Sequence, residues 1–277
     1  SLHDALPISL SFYLRSQGLM IARTRKEVGR ELPPVQRICQ SIEIKGSSLE
    51  DLRQTIAGLA RTLLHGEFHE RGVAAREIDL RLRQATGIAK APAVAEFSRV
   101  MLERGEKVLI FCWHHEVYDI LERELKEFRP VRYMGEQTPT QKAESKRRFM
   151  LPSHVAESSQ VMLMSLRAAP GLDGLQDVCS SCVYAELDWS PAVQIQCTGR
   201  LWRELNSGAG MNQVLEAFLL AEDGSDPAMA ELLGIKTQQL EGLMRPDQDD
   251  GVEVVQADPE RIKTMLLDYA RRHKISI

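Results

Sequence analysis

Ser181-Cys182-Val183-Tyr184-Ala185-Glu186-Leu187-Asp188-Trp189-Ser190-Pro191-Ala192 leads into Gln196-Cys197-Thr198-Gly199-Arg200-Leu201-Trp202-Arg203. The order is an apolar strand over Ser181–Leu187, a polar turn, and a helix carrying Gln-x-x-Gly-Arg-x-x-Arg. Arginines three residues apart on a helix turn share a face, so Arg200 and Arg203 can both reach the phosphates of one nucleotide. A solvated helix face with scattered arginine gives the same pattern. The segments upstream decide between the two readings.

Working back toward the N-terminus, Val108-Leu109-Ile110-Phe111-Cys112 and Val161-Met162-Leu163-Met164-Ser165 are short continuous apolar runs. Such runs suit parallel strands covered on both faces. Val131-Arg132-Tyr133-Met134 is a further strand, and amphipathic or charged helices are expected at Glu116–Phe128 and Pro139–Met150. Strands alternating with helices at this spacing predict a doubly wound α/β parallel sheet. Ligands on such a sheet bind at the carboxyl ends of the strands. Here those ends are Cys112-Trp113-His114, Gly135, Ser165-Leu166-Arg167 and Glu186-Leu187-Asp188.

Outside this block the pattern is mainly helical. Leu49, Leu52, Ile56, Leu59, Leu63 and Leu64 recur at helical steps behind the N-cap candidates Ser47 and Ser48. Val35 to Ile44 reads as a strand, and Asp79–Gln84 as a helix that ends near Gly87. Pro92 opens another helix through Glu103. C-terminal to the arginines come a strand at Leu215–Leu220, a helix at Met229–Leu243, an acidic linker at Arg245–Gly251 and a terminal helix at Pro259–His273.

Composition narrows the class. Of the 277 residues 43% are hydrophobic and 27% charged, and the net charge is −4, so nucleic-acid binding has to use a local patch. The five cysteines favour a reducing compartment, and Cys179 and Cys182, without a second ligand pair at zinc spacing, read as packing residues. No apolar run approaches the ~20 residues of a membrane-spanning helix, so no membrane partner is expected. Ser1–Ile8 back-translates to match a widely used sequencing-adapter oligonucleotide. On that reading residues 1–8 are non-native and an N-terminal half lies outside this chain.

From Tyr13 to Leu243 the chain resembles the Swi/Snf-type branch of the superfamily 2 helicases, and within it bacterial DEAD/DEAH-box helicase-like proteins related to annealing helicases. Tyr184–Ala192 with the Gln-x-x-Gly-Arg-x-x-Arg segment resembles the family's motif VI and its approach. Ser165–Gln176 looks like motif V, Val108–His114 like motif IV, and Leu14–Pro34 like the helical protrusion. The resemblance implies a RecA-like C-terminal lobe at residues 91–245, a helical protrusion at 9–90, and an acidic linker with terminal helix at 246–277. It implies Arg200 and Arg203 as catalytic arginine fingers, with ATP contacts from Gln196, Gly199, Gly171 and Asp173. DNA-backbone contacts would come from Ser165, Arg167, His114, Lys146 and Arg147, without sequence preference. It further implies ATP and Mg²⁺ as cofactors, held mainly by an N-terminal lobe, and a bacterial cytoplasmic, nucleoid-associated location.

Several of these residues have a plainer reading. Asp173 suits an Asx turn, Trp189 a packing anchor, and the helix face of Lys142, Lys146, Arg147 and Arg148 simple solvation. The sequence also departs from the family pattern. Ala169-Pro170 replaces a small-residue loop, Trp202 stands where histidine is usual, and Glu204-Leu205-Asn206-Ser207-Gly208 replaces a Gly-Gln ending. Neither Gly-x-x-x-x-Gly-Lys-Ser/Thr nor Asp-Glu-x-His occurs in the sequence, so ATP hydrolysis by this chain unaided is not expected. A helicase-derived adaptor that binds DNA or protein is the alternative from a different functional class. An unrelated nucleotide-binding α/β enzyme such as a glycosyltransferase is a more distant one.

Overall fold

A computed structural model describes residue 17 and residues 33–44, 68–168, 172–203 and 213–234. Among the described residues six strands form one sheet: β1 (Val35–Ile42), β2 (Val108–Cys112), β3 (Val131–Tyr133), β4 (Val161–Ser165), β5 (Ser181–Tyr184) and β6 (Val214–Ala221). Their order is β1-β6-β5-β2-β4-β3, and every pairing is parallel. This is the doubly wound sheet expected from the alternating pattern.

The apolar runs become central strands because both of their faces are covered. Leu109, Phe111, Met162, Met164, Tyr184 and Phe218 pack into one core. Their neighbours at the two-residue period, Val108, Ile110, Cys112, Leu163, Val183 and Leu219, pack into the other. The flanking helices are α1 (Phe68–Leu102), α2 (His115–Glu124), α3 (Pro139–Met150), α4 (Pro191–Thr198) and α5 (Asp226–Leu232). Helix α3 starts where its sequence says. The Thr138 side chain and Gln141 form a reciprocal capping box, with Pro139 in the first turn.

Helix α1 corrects the reading of its region. Gly87 and Pro92 were expected to end one helix and open the next, yet one helix of 35 residues runs through both. Lys90, Ala91, Val94 and Ala95 are fully buried on either side of the proline, and that packing overrides the local cost of Gly and Pro. The boundary drawn between residues 90 and 91 therefore falls inside a helix. Strand β1, expected within a helical protrusion, pairs along its whole length with β6. Other elements stop short of their expected ends: the helix expected at Met229–Leu243 runs Asp226–Leu232, and β1 ends at Ile42 rather than Ile44. Helix α2 gives way to a 3₁₀ turn at Lys126–Phe128, and β5 ends at Tyr184, after which the amides of Ala185 and Glu186 both donate to the Phe111 carbonyl. The expected helices at Leu49–Leu64 and Pro259–His273, the Arg245–Gly251 linker, and all but residue 17 and Pro33-Pro34 of the protrusion segment lie outside the described residues.

Candidate nucleotide and nucleic-acid site

The strand carboxyl ends bring together the segments that the sequence singled out. At their centre Glu186, just past β5, is buried. Its Oε2 accepts the backbone amides of Trp113 (2.6 Å) and His114 (3.0 Å), while its Oε1 lies 2.5 Å from His114 Nδ1. One carboxylate thus ties the turn after β2 to the turn after β5. His114, expected to reach toward phosphate, is only 8% exposed and committed to Glu186. Its neighbour His115 is the exposed one and faces Glu136 at 3.3 Å.

Arg167 follows β4 and pairs in a forked geometry with Asp188, at 2.8 and 3.2 Å. Asp188 is buried, and its Oδ1 also accepts the Ser190 amide. The Arg167 guanidinium lies over the half-exposed Trp113 ring, 5.6 Å from its centroid. Hydrogen bonding to Asp188 raises the pKa of Arg167, so it stays charged while more than half of its side chain meets solvent. Trp189 donates to Asp79 Oδ1 at 2.7 Å and packs in the core. Burial pushes the Asp79 carboxyl above its ordinary value, with nearby Arg83 opposing the shift.

The two arginines do not share a helix face. Helix α4 ends at Thr198, and Arg200 to Arg203 lie in the turns beyond it. Arg200 is 5% exposed, and its Nη2 donates to the Ala168 carbonyl at 2.7 Å. Arg203 is half-buried, donates from Nε to the Gly199 carbonyl at 2.7 Å, and forms an ion pair with Asp173. The segments around Asp173 and Arg203 are therefore in contact through this pair. Gly199 has little room, since an added Cβ would lie 2.9 Å from the Ile195 carbonyl oxygen. Gln196 is exposed on α4, Ser165 ends β4 half-buried, and Gly171 lies outside the described residues. On α3, Arg147 is bound to Glu144 and Glu157, which leaves half-buried Lys146 as that pair's less neutralised member.

Sequence reasoning placed Glu186 at a strand end without giving it a role, and gave none to Asp79. Glu186 carried a signal, a carboxylate in an otherwise apolar strand end, whereas Asp79 sits in an unremarkable helical stretch. Among the described residues no group of three or more His, Cys, Asp or Glu is arranged to hold a metal ion. A half-exposed guanidinium paired with a carboxylate that carries the charge sign of a phosphate does suit a phosphate-bearing ligand.

The all-parallel sheet is the fold of a RecA-like helicase C-terminal lobe, and known proteins resemble the chain in sequence as well. Residues 90–204 match the helicase conserved C-terminal domain. Over 228 residues the chain is 28% identical to the SWI/SNF-related matrix-associated actin-dependent regulator of chromatin subfamily A-like protein 1 of Xenopus tropicalis, and 29% identical to that of Xenopus laevis. Each alignment covers 81% of this chain and 23% of the relative, so the chain spans about a quarter of their length. Among solved structures, the C-terminal part of the Fun30 ATPase domain superposes with a TM-score of 0.58 at 13% identity, over 88% of this chain and 99% of that one. The Sulfolobus solfataricus SWI2/SNF2 ATPase C-terminal domain superposes at 0.50 and 10% identity, over 87% and 100%. In sequence and in fold the chain is thus similar to helicase C-terminal domains and to SWI/SNF-related proteins.

Proposed function

We propose that this lobe is the second half of an ATP-dependent DNA translocase, supplying arginine fingers to a nucleotide held by a partner lobe and backbone contacts to DNA. The observation that carries this is the Arg203–Asp173 ion pair, which holds a partly exposed cation where the segments resembling motifs V and VI meet. ATP supplies the transferable phosphoryl group and its negative charge, with Mg²⁺ held by the partner lobe. The work of this lobe is positioning and charge stabilisation. On closure Arg203 exchanges the Asp173 carboxylate for a phosphate oxygen, two acceptors of the same sign and similar geometry. Arg200, anchored on Ala168, shapes the turn and adds positive potential. The exposed guanidinium of Arg167, oriented by Asp188, meets the DNA backbone and carries no sequence information.

The test is turnover in a two-lobed protein that joins this lobe to a phosphate-loop lobe. Arg203→Ala is expected to lower ATP turnover by roughly 10³-fold, and Arg203→Lys not to restore it. Arg200→Ala lowers turnover too, but it also removes a buried contact, which makes Arg203 the cleaner probe. Turnover within about threefold of the parent in Arg203→Ala, under ~0.7 kcal/mol of barrier, overturns the finger assignment and favours the adaptor reading.

A further inference from the structure

Below the arginine turn lies a buried polar chain that none of the assigned roles uses. Thr198 closes α4, two residues before Arg200. Its carbonyl accepts the amides of both Leu201 (3.0 Å) and Trp202 (2.9 Å), so the turn carrying both arginines folds back on this one residue. Its hydroxyl donates to Oε1 of Glu216 in β6 and sits 2.8 Å from the Tyr184 hydroxyl, which is also 3.0 Å from the Gln194 carbonyl. Glu216 is fully buried, and its Oε2 lies 2.5 Å from Arg37 Nε in β1.

The cost of burying a carboxylate makes this arrangement informative. A charge in the middle of an interior strand is tolerated only when paired and hydrogen-bonded. Pairing with Arg37 alone answers the charge. The second oxygen is aimed at the residue from which the arginine turn hangs, and Tyr184 and Gln194 fix that residue from the side. A threonine at a helix end could instead bond back to its own helix. Here it reaches across to the sheet.

We propose that Glu216 is a positioning residue for the arginine turn, acting through the Thr198 hydroxyl to fix where Arg200 and Arg203 are presented. The proposal rests on the finger assignment for its catalytic consequence, but not for its structural one. The Thr198 hydroxyl ties the base of this turn to β6. Without that bond Arg203 keeps its reach to Gly199 and Asp173 while the origin of its side chain drifts, and misplacement on the scale of 1 Å costs about 10²-fold in a positioned reaction.

The test has two arms and three variants: Thr198→Val, which keeps shape and removes the hydroxyl, Thr198→Ser, which restores it, and Glu216→Met. In the 277-residue chain, the Nε–H signals of Arg200 and Arg203 in ¹⁵N NMR are expected to shift in Thr198→Val and Glu216→Met, to stay in place in Thr198→Ser, and to move no further in the Val/Met double variant. In the two-lobed protein Thr198→Val is expected to lower kcat about tenfold or more, with KM for ATP within about threefold and Thr198→Ser near the parent. If Glu216→Met does not fold, the valine and serine pair decides. Arginine signals unmoved by Thr198→Val overturn the proposal, as does a kcat that falls equally in the serine variant. If Arg203→Ala leaves turnover intact, the finger assignment fails, while the NMR arm still decides whether Glu216 positions the turn.

Discussion

Gly87 lets α1 lie against the turn that organises the site. A Cβ there would come within 2.9 Å of Glu186 Cδ, Glu186 Oε1 and Val117 Cγ2. Gly72, in the same helix, has nothing within 4 Å of that position. The two glycines should therefore answer the same substitution with opposite signs. Gly87→Ala is expected to destabilise the chain by about 1–3 kcal/mol through overpacking, and Gly72→Ala to stabilise it by about 0.5–1 kcal/mol through helix propensity. Chemical denaturation of both variants checks this, and equal effects would show that Gly87 is not a close-approach residue. Legibility at this scale follows the same division. The spacing of Arg200 and Arg203 was plain in the sequence, but which of them is buried depends on the Ala168 carbonyl, 32 residues away in the chain. His114 and Arg147 read as exposed side chains because nothing local announces Glu186 or Glu157 as their partners.

Helix α3 shows how a distant residue completes an element. Lys107, just before β2, is buried, and its ammonium donates to the Phe149 carbonyl, the Leu151 carbonyl (2.6 Å), Ser158 Oγ (3.2 Å) and the Ser159 carbonyl (2.9 Å). It thus caps the carbonyl end of α3, where a positive charge also meets the helix dipole favourably. Lys107→Met should cost about 2–4 kcal/mol by leaving buried oxygens unanswered. Burial pushes the Lys107 ammonium down to about 8. Between that pH and the ordinary lysine range of about 10.4, the unfolded chain holds the proton that the folded chain has lost. The parent's stability relative to Lys107→Met should therefore rise across this window and stay level below it. Urea unfolding of both chains at either end of the window measures the difference, and a margin that shrinks as pH rises contradicts the assignment. The ends of α3 were legible because the Thr138 capping box is local. The continuity of α1 was not, because Gly87 and Pro92 obey local rules that buried Lys90 and Ala91 override.

For the whole molecule, a net charge of −4 means that the proposed DNA binding would have to use a small basic area. Arg167 is exposed there, whereas Arg147 is neutralised by two glutamates. Affinity for DNA should accordingly be weak, indifferent to sequence, and salt-dependent with a slope of only about −2 to −4, at ~0.9 per phosphate contacted. Arg167→Ala should reduce that slope by about one. Fluorescence anisotropy over a salt series tests both, and a salt-independent or sequence-selective affinity would contradict them. The sheet's class was legible at this scale because its central strands are continuous apolar runs. Its order was not, because β1 and β6 pair across a separation of 179 residues, as between Arg37 and Glu216. That pairing also has a consequence for biosynthesis. Strand β6 emerges last of the six yet sits between β1 and β5. At 5–20 residues per second, translation leaves β1 without its partner for roughly 10–35 seconds. During that interval the nascent chain carries an unpaired strand and a sheet with its β1–β5 slot still open, and the first of these strands to leave the ribosome is joined to the sheet only by the last.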